Sequence, residues 1–218
     1  MCGLHRAAKN PLGQNLPYPD SESGASPRKI GRMLKIIALA ELVVCWIAWS
    51  AVFVRPSRQA AGRKEVANAP ASKWGIFLVI VSFALAWTYV RPVGFEKSNF
   101  SLIASMILGP PSVALAWAAT RHLGKQWRYK AGLNEDHELI QTGPYSWLRH
   151  PIYASMLGML LATLAAWTWW PMAIGSLVAF LAGTEVRIRT EERLLAERFG
   201  ESFIAYRSRT QGCIPFVR

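Results

Sequence analysis

Long apolar stretches almost free of charge, separated by polar segments rich in Lys and Arg, run through most of this chain. An ordinary water-soluble domain has little use for such stretches, whereas a bilayer solvates them and requires only that their backbone groups pair within helices. Residues 34–54 are interrupted only by Lys35 and Glu41. At about 1.5 Å per residue they are long enough to cross roughly 30 Å of hydrocarbon. Glu41 reads as interfacial, as paired to another helix, or as functional. Residues 74–90 form the second stretch, with Trp74 and Trp87 near its ends, where amphipathic rings favour the headgroup region. Residues 102–120 are the third, with Gly109, Pro110 and Pro111 near the middle. Proline lacks a backbone donor and clashes with the preceding turn, which predicts a kink or a split there. Residues 152–184 are too long for one ordinary crossing and hold Trp167, Trp169, Trp170 and Pro171 at their middle, so they read as a hairpin of two crossings. Gly175 and Gly183 would let its returning arm pack closely against a neighbour.

The pattern predicts an all-α fold, a polytopic membrane helix bundle of about five transmembrane helices. Beyond the last crossing, Leu194, Leu195, Phe199, Phe203 and Tyr206 recur at helical spacing between charges, which predicts a C-terminal cytoplasmic amphipathic helix, broken or bent near Gly200. Residues 1–33, rich in Gly, Pro, Ser and Asn, read as a flexible N-terminal arm. Residues 34–218 read as the membrane domain, with the chemistry in 121–209. A secretory signal would place its apolar run nearer Met1, with a small-residue cleavage site behind it, so the first stretch reads as a retained helix.

The 25 Lys and Arg against 13 Asp and Glu give a formal charge of +12, which by itself could suit nucleic acid. The basic residues sit mostly between the apolar stretches, and that placement favours an anionic membrane surface over nucleic acid. Counted on alternate sides of the five crossings, Lys and Arg number eight with the N-terminal arm and seventeen with the C-terminal tail. Positive charge is retained preferentially in the cytoplasm, so the N-terminus is expected outside and the C-terminus inside, in an inner or plasma membrane. Cys2, Cys45 and Cys213 have no metal-ligand spacing, and neither a disulfide framework nor a metal site is indicated.

Two polar segments carry the candidate chemistry. Gly143 and Pro144 mark a turn, after which Tyr145, Trp147, Arg149, His150 and Tyr153 crowd the entrance of the fourth helix, with Pro151 admissible in its first turn. Aromatic and basic residues are also ordinary interface anchors, so this density alone fits either reading. Arg187, Arg189, Glu191 and Glu192 follow the last crossing. Arg187 and Glu191 are four apart, share a helical face and could simply form a weak intrahelical ion pair. If the tail folds under the entrance of the fourth helix, a carboxylate instead faces Arg149 and His150. That arrangement would give a polar pocket joined to an apolar cleft, as suits a reaction between a charged soluble cofactor and a lipid-like substrate.

The segments GPYSWLRHPIY, residues 143–153, and RIRTEERLLAERFGESFIAYRSR, residues 187–209, resemble the paired signatures of the isoprenylcysteine carboxyl methyltransferase and phospholipid methyltransferase family of integral membrane enzymes. Leu123, Gly124 and Trp127 are similar to that family as well. The resemblance covers roughly the C-terminal half. It implies S-adenosylmethionine as methyl donor, held from the cytosolic side by Tyr145, His150, Pro151, Tyr153 and Glu191, with Arg149, Arg187 and Glu192 as the charge-positioning, catalytic set. It further implies a lipid-like or prenylated acceptor that enters from the bilayer. Ser155 stands where many relatives carry Gly, and is still small.

The leading expectation is therefore methyl transfer to the carboxylate of an isoprenylcysteine-like amphiphile, with N-methylation of a phospholipid amine as the alternative. A carboxylate is already anionic at neutral pH, whereas an amine must lose a proton, for which Glu191 or Glu192 would serve. A non-catalytic membrane scaffold or small-solute transporter is the reading from another class. No glycine-rich strand-to-helix fingerprint points to a dinucleotide-type cofactor fold.

Overall fold

A computed structural model of the chain describes residues 27–54, 67–68, 72–88, 92–124, 132–133 and 138–213. Its helices are α1 (Pro27–Val52), α2 (Ser72–Trp87), α3 (Asn99–Leu123), α4 (Pro151–Ala166), α5 (Trp170–Phe199) and α6 (Glu201–Arg209). Two two-residue strands, β1 (Ala67–Asn68) and β2 (Gly132–Leu133), pair antiparallel. The fold is an all-α membrane bundle. Lys29–Val52, Asn99–Leu123 and Trp170–Phe199 are long and apolar enough to cross a bilayer, while α2 and α4 are shorter apolar helices of 16 residues.

The distribution of side chains is the reverse of that in a soluble protein. Large apolar groups such as Val44, Ile47, Ile80, Ile107 and Val178 face outward, and between Leu42, Leu102, Leu160 and Phe180 the interior holds many small or weakly polar residues, among them Ala38, Ser82, Ala116, Ala162, Thr163 and Ser176. Lipid tails solvate Leu and Ile as well as a protein core does, so helices in a bilayer associate through close packing and interhelical hydrogen bonds. Both devices are present. Ser176 donates to the Ser82 carbonyl at 2.8 Å, and Trp46 and Trp49 of α1 donate to Thr163 and Ser155 of α4 at 3.0 and 3.3 Å.

Successive helices run in alternate directions. At one end of the bundle Thr168 donates to the Ala86 carbonyl at the end of α2, and Lys97 and Ser101 donate to the last carbonyls of α4. At the other end the start of α2, the start of α4 and the C-terminal half of α5 meet at Arg187. α2 packs mainly on α5, and α3 lies between α1 and α4.

Three sequence expectations change in detail. The first helix begins at Pro27, so residues 27–33, read as arm, are helical; residues 1–26 of that arm, and Trp127, lie outside the described residues. The third helix is not split: Pro110 and Pro111 lie inside an unbroken α3. It is braced on both sides at that step. A Cβ on Gly109 would stand 3.1 Å from Cys45 Sγ of α1, and Ser112 packs against Gly158 of α4 while donating to the Leu108 carbonyl at 2.7 Å. Such neighbours and hydroxyls hold together a backbone that has lost donors to proline. The hairpin falls where it is predicted, turning through Trp167, Thr168 and Trp169, but its second arm, expected to extend through Glu185–Arg189, runs further as one helix to Phe199. Gly200, at φ 50°, ends α5 and its N–H returns to the Ala196 carbonyl at 2.9 Å; α6 starts at the next residue.

Candidate functional site

Two elements that are distant in sequence build the polar end of the bundle. The first is the entrance to α4. Gly143, at φ 60°, opens a short 3-10 turn over Gly143–Ser146, and its bare Cα leaves room for the His122 ring at the end of α3. The chain then runs through Leu148, Arg149 and His150 before Pro151 starts the helix, where its missing N–H would be unpaired in any case. The second is the polar half of α5 followed by α6, which swings back so that Arg149 N donates to the Gln211 carbonyl at 2.8 Å and Gln211 N to the Trp147 carbonyl at 2.9 Å.

These elements bring six of the eight residues singled out from sequence into direct contact. His150 lies between the two glutamates: its Nε2 is 3.3 Å from Glu192 Oε1 and its Nδ1 is 3.7 Å from Glu191 Oε2. Arg149 Nε donates to Glu192 Oε1 at 2.8 Å. Its Nη1 donates to the carbonyls of Arg207 and Thr210, so this buried guanidinium ties the tail to the entrance. Tyr153 donates its hydroxyl proton to Glu191 and accepts from Arg187 Nε at 2.6 Å, and Arg187 Nη2 donates to Glu191 Oε1 at 3.2 Å. The His150 and Tyr153 rings stack with centroids 5.8 Å apart. Of the other two, Pro151 is fully buried in the first turn of α4 and Tyr145 is buried in the turn before it.

The two glutamates thus have different surroundings. Glu191 belongs to the Tyr153–Arg187 group. Glu192 belongs to Arg149 and His150, with Arg207 Nε 3.5 Å from its other oxygen. Burial pushes the Glu192 carboxyl up, but hydrogen bonds from His150 and Arg149 outweigh it and hold the group at about 2. Tyr145 is buried, and burial together with the Glu191 charge raises its phenol well above the usual range. Tyr206 is pushed up to about 12, mainly by burial, and donates its proton to the Tyr145 carbonyl at 2.7 Å. Both phenols are neutral at physiological pH.

Sequence reasoning did not assign Ser72, Arg207, Thr210 or Tyr206 to this place. Tyr206 was legible only as an inward position of an amphipathic helix. Thr210 takes part through its backbone carbonyl, which leaves no mark in a sequence, and Ser72 sits at the start of an apolar stretch with nothing to single it out. Arg189 is the opposite case: it is exposed and pairs with Glu185 at 2.7 Å, away from the cluster.

Two arginine–glutamate pairs around an imidazole thus form a charged cluster at one end of a polytopic membrane helix bundle. Residues 103–197 match the isoprenylcysteine carboxyl methyltransferase (ICMT) family. The chain is similar to the protein-S-isoprenylcysteine O-methyltransferase of Saccharomyces cerevisiae, 34% identical over a match that covers 40% of this chain and 37% of the yeast protein. It is also similar to the cobalt-zinc-cadmium resistance protein CzcN of Cupriavidus metallidurans, 30% identical over 65% of this chain and 62% of that one. A third relative is the protein-S-isoprenylcysteine O-methyltransferase B of Arabidopsis thaliana, 31% identical over 55% of this chain and 60% of the plant protein. The matched regions thus span less than two thirds of the length of each of these relatives.

Proposed function

We propose that the protein is an S-adenosylmethionine-dependent membrane methyltransferase whose acceptor is the carboxylate of an isoprenylcysteine-like amphiphile. The observation that carries this reading is the meeting of Arg149, His150 and Tyr153 with Arg187, Glu191 and Glu192 at the end of an apolar bundle, inside a segment that matches the ICMT family. The donor set fits the cofactor. Carboxylates suit its ammonium and sulfonium charges, guanidinium groups suit its carboxylate, and the stacked His150 and Tyr153 rings offer an aromatic face to a purine. Bound there, it supplies a methyl group already activated on a positively charged sulfur.

The protein's own part is to align the two reactants and exclude water. Tyr145, His150, Pro151, Tyr153 and Glu191 hold the donor, and Arg149, Arg187 and Glu192 set the charge around it. A carboxylate acceptor attacks without losing a proton. An amine acceptor would require a base, and Glu192, held at about 2, is a poor one near neutral pH. The family match is what favours ester formation over phospholipid N-methylation.

In this reading α1 to α5 all cross the bilayer, the N-terminus is outside, and the site and α6 face the cytoplasm of an inner or plasma membrane. The alternating helix directions support it, as does the excess of Lys and Arg on the side of the site. Helices α2 and α4 reach only about 24 Å at 1.5 Å per residue, and flanking residues and local thinning accommodate the difference. α6 turns Phe203 and Tyr206 inward and leaves Ile204 exposed, as suits a helix lying on the membrane face.

The test is transfer of labelled methyl from S-adenosylmethionine to a farnesylcysteine analogue by the purified protein in lipid nanodiscs. The expected product is a base-labile ester. His150→Ala and Glu191→Ala should each lower turnover by about a hundredfold or more while the protein still folds. Label in ethanolamine lipids alone would replace the acceptor, and label in neither would overturn the reading.

A further inference from the structure

We propose that Ser72 and Gly75 of α2, which lie outside the family-matched segment, are positioning residues: they form the socket that fixes Arg187 and, through it, Tyr153 and Glu191. The inference rests on the methyltransferase reading. Arg187 is only 7% exposed although it carries a permanent charge on a long, flexible stem. It lies one turn beyond Gly183, where α2 and α5 approach to backbone contact. Its stem runs over Gly75. A Cβ there would stand 2.6 Å from Arg187 Cγ and 2.8 Å from the Gly183 carbonyl, so only a residue without a side chain leaves the stem its path. One turn earlier on the same face of α2, buried Ser72 accepts from Arg187 Nη1 at 3.4 Å.

With stem and one edge held by α2, the rest of the guanidinium is presented to the site. Nε meets the Tyr153 hydroxyl at 2.6 Å, Nη2 meets Glu191 at 3.2 Å, and the guanidinium carbon lies 5.4 Å from the centre of the Tyr153 ring. One helix therefore supplies the socket, and two others carry the groups that the arginine orders. A shift of a few tenths of an ångström in Arg187 passes directly to a hydroxyl and a carboxylate that hold the donor, and alignment errors near 1 Å cost about a hundredfold in rate.

The experiment measures S-adenosylmethionine Kd by calorimetric titration, kcat and KM with a farnesylcysteine analogue, and the thermal midpoint, all on the full chain in detergent. Gly75→Ala should weaken donor binding by about tenfold or more, since overpacking must displace either the stem or the helix. Ser72→Ala should weaken it by roughly threefold, as loss of one weak hydrogen bond would, and Ser72→Thr, which keeps the hydroxyl, should bind as wild type does. In an Arg187→Lys background, adding Ser72→Ala should change Kd by less than about twofold, because the residue through which Ser72 acts is already altered. A purely structural role would lower the midpoint without this non-additivity or the rescue by Thr. If Gly75→Ala does not fold, the Ser72 pair decides. Wild-type protein that binds no donor overturns the methyltransferase reading and this inference with it. Wild-type binding with Ser72→Ala unchanged, unrescued by Thr, or additive with Arg187→Lys overturns this inference alone.

Discussion

Buried Arg149 joins the entrance of α4 to the tail by holding one carboxylate and two backbone carbonyls. Removing a buried partner leaves the others desolvated, so Arg149→Ala is expected to cost about 3–5 kcal/mol, measured by denaturant or thermal unfolding in detergent. Arg149→Lys should be only partly tolerated, since an ammonium cannot reproduce the planar fork. Glu192 adds a pH dependence. Its carboxyl titrates near 2 in the folded protein against 4.5 ordinarily, so its pairings contribute stability that is complete above about pH 5 and is lost as the pH falls through about 2. The difference in thermal midpoint between wild type and Glu192→Gln should accordingly close as the pH falls from about 4.5 to 2. The sequence made Arg149, His150, Glu191 and Glu192 visible through residue type and clustering, yet left open which glutamate does what. Only the folded chain separates them, because Tyr153 and Arg187 claim one while Arg149 claims the other.

Apolar length and interrupting charges made the helices legible, and helix packing was legible only in part. Gly175 and Gly183 look alike in the sequence, yet their sites differ. A Cβ on Gly183 would stand 2.8 Å from the Gly75 carbonyl and 3.0 Å from Val79 N, whereas one on Gly175 would make an ordinary contact with Leu85 at 3.6 Å. Gly183→Ala should therefore destabilise by about 1–3 kcal/mol, and Gly175→Ala should stay within about 0.5 kcal/mol of wild type in the same unfolding assay. The continuity of α3 through Pro110 and Pro111 was hidden for a related reason: proline's effect depends on what the neighbouring helices place against it, here Cys45 and Gly158. The start of α1 at Pro27 was hidden because Lys29, Arg32 and Lys35 end an apolar count without ending a helix.

At the scale of the molecule, the proposed orientation has a direct reading. In a background lacking Cys2, Cys45 and Cys213, Val93→Cys sits on the exposed turn between α2 and α3 and Ile204→Cys on the exposed face of α6. A membrane-impermeant maleimide added to intact cells should label the first, and should label the second only after permeabilisation; the reverse pattern would invert the topology. Charge asymmetry between loops suggested this orientation from sequence, although the N-terminal arm carries basic residues of its own and dilutes the signal. The division of labour between α2 and the later helices bears on transplantation. A chimera that grafts residues 103–197 onto the front half of a distant relative would carry Arg149, His150, Arg187, Glu191 and Glu192 but not Arg207, while Ser72 and Gly75 beside Arg187 and the carbonyls of Arg207 and Thr210 that pair with Arg149 stay behind in the donor chain. Such a hybrid should insert and assemble yet work poorly, and its repair should begin at the second helix rather than among the reactive residues.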